Sequence, residues 1–125
     1  MSRVLVIEDN PANLDLLTYL LTALGYDVTT ATNGVCGLDL ARNADLDIVL
    51  ADILMPEMDG YEFARRFKTD PRLALTPLIA VTALAMSGDR ERIIAAGFDD
   101  YISKPIDPKL LAAHVKSILT KGQSV

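Results

Sequence analysis

Four short segments of the chain are apolar or β-branched without interruption: Val4 to Ile7, Ile48 to Ala51, Leu78 to Val81 and the weaker pair Tyr101-Ile102. Runs of this length with no polar face predict central strands of a parallel sheet covered by helices on both sides. A fifth strand is predicted at Asp27 to Ala31. Between the strands, hydrophobic residues recur at helical intervals. The first helix opens at Asn10-Pro11, where Asn can cap and Pro fits the first helical position, and it stops at Gly25. Leu14, Leu17, Leu21 and Leu24 are predicted as its buried stripe. The second helix runs from near Asn33 to about Arg42 along Val35, Leu38 and Ala41 or Arg42, weakened by Gly34 and Gly37. A third begins at Asp59, in a capping-box pattern with Glu62, and ends near Lys68 before the Asp70-Pro71 turn. The fourth follows Ser87-Gly88-Asp89 and stops at Gly97, and the fifth opens at Asp107-Pro108 and fades around Lys121-Gly122.

Strand and helix thus alternate five times. Alternation of this kind requires right-handed crossovers, and five strands are too few for an eight-stranded barrel. The predicted fold is α/β, a flavodoxin-like doubly wound sheet of five parallel strands with five helices. No Gly/Ser-rich linker or repeat divides the 125 residues, so residues 1–121 read as one domain and 122–125 as a short polar tail. The start at Met1 and the polar end suggest a self-contained protein, with a domain excised from a larger protein as the alternative.

Charge narrows the partners. Twelve basic against seventeen acidic side chains give a net charge of −5, which would repel a phosphate backbone, so nucleic acid is not an expected partner. The apolar stretch after Met1-Ser2-Arg3 is too short for a signal-peptide core or a membrane span, and a cytoplasmic protein without membrane insertion is expected. Cys36 is the only cysteine, so no intramolecular disulfide can form, and it is read as a small residue packed on a helix face.

In open parallel sheets, ligands bind beyond the carboxyl ends of the strands. There the sequence places Glu8 and Asp9 after the first strand, Asp52 after the third, Thr82 after the fourth and Lys104-Pro105 after the fifth. Asn10 already caps the first helix, so Glu8 and Asp9 are spare. Gathered carboxylates repel by roughly 4 kcal/mol per pair at about 4 Å and an effective dielectric near 20. A hard cation would relieve this, and a carboxylate site without histidine or thiolate suits Mg²⁺. Such a site matches phosphoryl transfer: Asp52 as nucleophile, the metal and the Lys104 ammonium on opposite sides of the phosphoryl group, the Thr82 hydroxyl on a further oxygen, and the backbone N–H groups after Asp52 and at Ala83 completing the cradle.

The same residues resemble the receiver domains of two-component response regulators over essentially the whole chain. The resemblance rests on Val-Ile-Glu-Asp-Asn at 6–10, Ala-Asp-Ile-Leu-Met-Pro-Glu-Met-Asp-Gly at 51–60, Ala-Val-Thr-Ala at 80–83 and Tyr-Ile-Ser-Lys-Pro-Ile at 101–106. It implies that Asp52 accepts phosphate from a histidine kinase or histidine phosphotransfer protein, and that Glu8, Asp9, Asp52 and the Leu54 backbone carbonyl organise Mg²⁺. It further implies phosphoryl binding by Thr82, Ala83 and Lys104, a cis Lys104-Pro105 peptide, and a switch in which Tyr101 follows Thr82. The protein would act on a downstream protein target through Met86, Tyr101 and Ile102, and would not be an enzyme beyond slow autodephosphorylation. Leu54 and Leu84 replace polar side chains that influence hydrolysis in chemotaxis-type members, which implies a long-lived phosphoaspartate. His114 reads as a plain helix residue.

Two other classes fit less well. A haloacid-dehalogenase-type hydrolase needs a second acid where Leu54 stands, and a flavodoxin-like cofactor binder needs neutral phosphate donors where Glu8-Asp9 stand. No Gly-rich nucleotide fingerprint occurs.

Overall fold

A computed structural model describes residues 2–83 and 88–123 of the chain. Five strands, β1 (Arg3–Ile7), β2 (Asp27–Ala31), β3 (Ile48–Asp52), β4 (Leu78–Thr82) and β5 (Asp100–Ser103), form one parallel sheet in the order β2-β1-β3-β4-β5. The helices between and after them are α1 (Pro11–Ala23), α2 (Gly34–Arg42), α3 (Gly60–Thr69), α4 (Asp89–Ala96) and α5 (Pro108–Gln123).

The two-residue period of a strand sorts the core. Val4, Val6, Ile48, Leu50, Ile79, Val81 and Ile102 face Leu17 and Leu21 of α1 and Leu111 and Val115 of α5. Their neighbours Leu5, Ile7, Val49, Ala51, Leu78 and Ala80 face Leu38 of α2, Phe63 and Phe67 of α3 and Ile93 of α4. With helices on both faces, β3 and β4 bury every side chain and β1 all but Arg3, which is why they read as unbroken apolar runs.

The helix ends follow the local chemistry. Asn10 Oδ1 accepts from the Ala12 and Asn13 amides, Asn33 Oδ1 from Cys36 N, and Asp59 Oδ1 from Glu62 N. The capping box read at Asp59 is only half made, because the Glu62 carboxylate turns to Arg65 and Arg66. Gly25 and Gly97 close α1 and α4 at φ of 92° and 118°, where a Cβ would be strained.

Several predicted orientations need correction. Leu24 lies past the end of α1 and is 46% exposed, so the buried stripe is Leu17 and Leu21 with Leu14 partly covered. On α2 the face against the sheet is Gly34, Gly37, Leu38 and Ala41, which leaves Val35 58% exposed and turns Cys36 to solvent. A Cβ on Gly37 would stand 2.4 Å from Ile7 Cδ1, so the helix approaches β1 through the missing side chain.

Candidate functional site

Each candidate side chain stands at or just past the end of its strand. The parallel register brings the ends of β1, β3 and β4 level, with Ile7 beside Ala51 and Asp52 beside Val81. One carboxylate oxygen from each of Glu8, Asp9 and Asp52 lies within 4.8 Å of the others. Glu8 and Asp52 are buried and Asp9 is exposed, so the cluster is a pit with one wall open to water. Lys104 reaches across from the loop after β5: its Nζ donates to Glu8 Oε1 at 2.8 Å and to Asp52 Oδ2 at 2.9 Å. Asp52 Oδ1 accepts from the Leu54 amide at 3.1 Å. The Lys104-Pro105 peptide is cis.

Three carboxylates and one ammonium leave a formal charge of minus two, which one divalent cation would balance. The strain of that imbalance falls on Glu8. Burial, reinforced by its contact with Asp52 and opposed by Lys104, pushes the Glu8 carboxyl up to about 7. Burial pulls the Lys104 ammonium down, but its bonds to Glu8 and Asp52 outweigh this and its pKa is raised. Oxygen donors of one chemical kind, close together and short of positive charge, fit a hard cation.

Thr82, the last residue of β4, is fully buried on the sheet face that carries Ala80. Tyr101 pairs with Ala80 across the β4–β5 register and shares that face. Its hydroxyl accepts from Arg90 Nε at 3.0 Å and Nη2 at 2.7 Å, and the guanidinium sits 5.4 Å from the ring centroid. Sequence reasoning missed this clamp, because nothing in the spacing of Arg90 marks it.

Ile102 corrects one expectation. Adjacent strand residues point to opposite faces, so with Tyr101 toward α4, Ile102 is 4% exposed in the core under α1 and α5, and its side chain offers a partner almost no surface. Met86 and Leu84 lie outside the described residues. Ala83 is exposed beside Thr82. His114 is less plain than its helix position suggested: its Nδ1 lies 3.2 Å from Asp100 Oδ2 on β5.

The loop from Ile53 to Asp59 is tied at its base, where Gly60 N donates to Ile53 O at 2.8 Å and Met55 N to the same oxygen at 3.2 Å. Buried Met55 and Met58 hold it against the core, and Met58 fills the space that a Cβ on Gly34 would take. The Leu54 side chain is left 57% exposed next to Asp52.

Residues 4–116 match the family described as the response regulator receiver domain. The chain is 44% identical over 116 residues to the polar-differentiation response regulator DivK of Brucella anthropi, covering 93% of this chain and 94% of that protein. Among solved structures, the signal receiver domain of a signal transduction histidine kinase from Syntrophus aciditrophicus is similar with a TM-score of 0.91 and 34% identity, covering 100% of this chain and 95% of that one. The receiver domain of the sensor histidine kinase PA1611 of Pseudomonas aeruginosa PAO1 superposes with a TM-score of 0.89 at 33% identity, covering 95% of this chain and 98% of that one. It was determined with a magnesium ion coordinated in the active-site cleft.

Proposed function

This chain belongs to the response regulator receiver domain family, and from that premise we propose that Asp52 is the residue through which it receives a phosphoryl group. The reading is carried by one observation: Glu8, Asp9, Asp52 and Lys104, from the ends of three separate strands, meet at one pit. A histidine kinase or histidine phosphotransfer protein would be the donor. An Asp52 carboxylate oxygen attacks phosphorus, the P–N bond to the imidazole breaks with its electron pair going to nitrogen, and an acyl phosphate forms on Asp52. Lys104, already bonded to Asp52 Oδ2, stands ready to follow the added charge onto a phosphoryl oxygen. Glu8, Asp9, Asp52 and the Leu54 carbonyl would hold Mg²⁺, which would neutralise charge on the phosphoryl oxygens. The Thr82 hydroxyl and the Ala83 amide would take the remaining oxygens.

Switching would be a shift between two placements of Thr82 and Tyr101, which share a sheet face. In one placement Arg90 holds the tyrosine hydroxyl. A cavity of about 500 Å³ lined in part by Arg90, Tyr101, Leu110 and His114 lies on this side of the molecule, and we assign the downstream protein to it. Among the described residues no helix is long and apolar enough to cross a membrane. A cytoplasmic place, the donor being a signalling kinase, fits this reading.

The buried Glu8 makes the site sensitive to pH. A carboxyl whose folded pKa lies above its ordinary value of 4.5 favours folding while protonated, and that contribution is lost as pH rises to about 7. Without metal, thermal stability should therefore fall across this window and Mg²⁺ should restore it. Glu8→Gln should flatten the profile and remove the gain from Mg²⁺. Melting curves at several pH values, with and without Mg²⁺, check both, and an unaltered profile in the variant contradicts the assignment.

Leu54 offers no group to orient an attacking water, so the phosphoaspartate should be long-lived. Leu54→Asn should shorten its lifetime by up to about a hundredfold, the scale on which positioning a reactant acts. The decay of the phosphorylated species reads this directly, and equal or longer survival in the variant counts against it.

A further inference from the structure

On the edge of the molecule opposite the phosphorylation site, where α2 and α3 end, the charge of the chain is locally reversed. Arg42 is the last residue of α2, Arg65 and Arg66 lie near the end of α3, and Arg72 follows in the loop before β4. These are four of the twelve basic side chains in a protein of net charge −5. Among the described residues, two carboxylates pair with them. Glu62 pairs with Arg65 and with Arg66 Nε, while Asp70 pairs with Arg42 Nε at 3.0 Å and with Arg72 through Nε and Nη2. Among these six groups positive charge is in surplus by two.

The carboxylates act as anchors. Asp70 is held at about 2, by its bonds to Arg72 first and Arg42 after, and so stays ionised throughout the physiological range. It binds Arg42 only through Nε, and Glu62 binds Arg66 only through Nε, so the outer nitrogens of both guanidiniums have no bond to these anchors. Arg42, Arg66 and Arg72 keep between a third and two thirds of their side-chain surface in water. With Thr69, Asp70 and Pro71 they line an open cavity of about 510 Å³. A guanidinium fixed along one edge and free along the other is prepared to accept a carboxylate through two parallel bonds. Helix dipoles account for a basic residue at the end of each helix, but not for Arg72, which lies beyond both.

We propose that this surface docks an acidic segment of a partner protein, at a site separate from the phosphorylation centre. A nucleic acid is the poorer occupant. Its long run of phosphates would meet the rest of an acidic protein, whereas a short acidic peptide meets the patch alone. The loop that carries Arg72 also carries Leu75, 96% exposed, which an apolar side chain of a peptide can cover and a phosphate chain cannot.

The test uses a fluorescently labelled Glu-rich peptide containing one Leu, titrated with the full chain at low and high salt. The wild type should bind at low salt and release the peptide as salt rises. Arg42→Gln, Arg66→Gln and Arg72→Gln combined should weaken binding by roughly ten- to hundredfold, three partly exposed ion pairs in all. Asp52→Asn should bind as the wild type does. Because the triple variant loses the partners of Asp70, the single charge reversal Arg66→Glu on the half-exposed face of α3 provides a second reading, and it should weaken binding with the melting temperature little changed. No binding by the wild type, binding indifferent to salt or to Arg66→Glu, or tighter binding of a mixed-sequence DNA duplex than of the peptide would each overturn the proposal.

Discussion

Asp52→Asn should leave a folded domain that takes up no phosphoryl group from phosphoramidate, a small-molecule analogue of phosphohistidine. The amide has the shape of the carboxylate and can still accept from the Leu54 amide, so the strand end keeps its geometry. What it lacks is a nucleophilic oxygen. Removing the attacking atom of a site that works as a unit costs far more than removing a supporting group, and a loss beyond roughly a thousandfold is expected. Stability should not fall in parallel. Glu8 and Asp52 are buried within reach of one another, and Lys104 keeps its bond to Glu8 when Asp52 is neutral, so the metal-free variant should melt no lower than the wild type. Phosphate-labelled protein resolved on a gel, beside a melting curve, separates these effects. Labelling of the variant at the native rate would move the acceptor to another residue.

The second large effect is structural and lies at Gly60. A Cβ there would stand 2.5 Å from Ile53 Cα and 2.8 Å from Asp52 O, both backbone atoms of the segment that presents Asp52. Nothing flexible can give way. The Gly60 amide also closes the loop by donating to Ile53 O, so the helix and the strand end must separate together. Gly60→Ala should cost about 3 kcal/mol, the upper part of the range for forced overpacking, and lower the melting temperature by on the order of ten degrees. Mg²⁺ affinity should fall with it, because Asp52 and Leu54 flank the displaced segment. Gly25→Ala is the matched control. A Cβ at Gly25 meets nothing within 4 Å and only the left-handed φ is penalised, so that variant should lose less stability and bind Mg²⁺ normally. Equal losses in the two variants would rule out the close approach as the cause.

The strands were legible because doubly covered strands must be apolar on both faces, and the helix starts because Asn10, Asn33 and Asp59 supply oxygens where amides need them. Orientation was harder. A helix that touches the sheet through Gly34 and Gly37 hides its buried face from any hydrophobic pattern, which points instead to Val35 and Cys36, both exposed. The two-residue period sets Ile102 on the opposite sheet face from Tyr101, so its side chain is buried. Within the site, the strand-end rule named the acidic residues and Lys104, while the direction of Lys104 needed three dimensions: it bridges Glu8 and Asp52 itself. Arg90 on Tyr101, His114 beside Asp100 and Arg42 on Asp70 join separate elements, and no spacing rule anticipates them.

The acidic pit is proposed to act as a metal-assisted phosphoryl acceptor. The most direct measurement is the intact mass of the native chain after exposure to acetyl phosphate, with Mg²⁺ and with chelator, followed by peptide mapping of the modified species. One added phosphoryl group, present only with Mg²⁺ and located on Asp52, is the predicted result. Modification that proceeds equally in chelator, or that maps outside the segment containing Asp52, would contradict it.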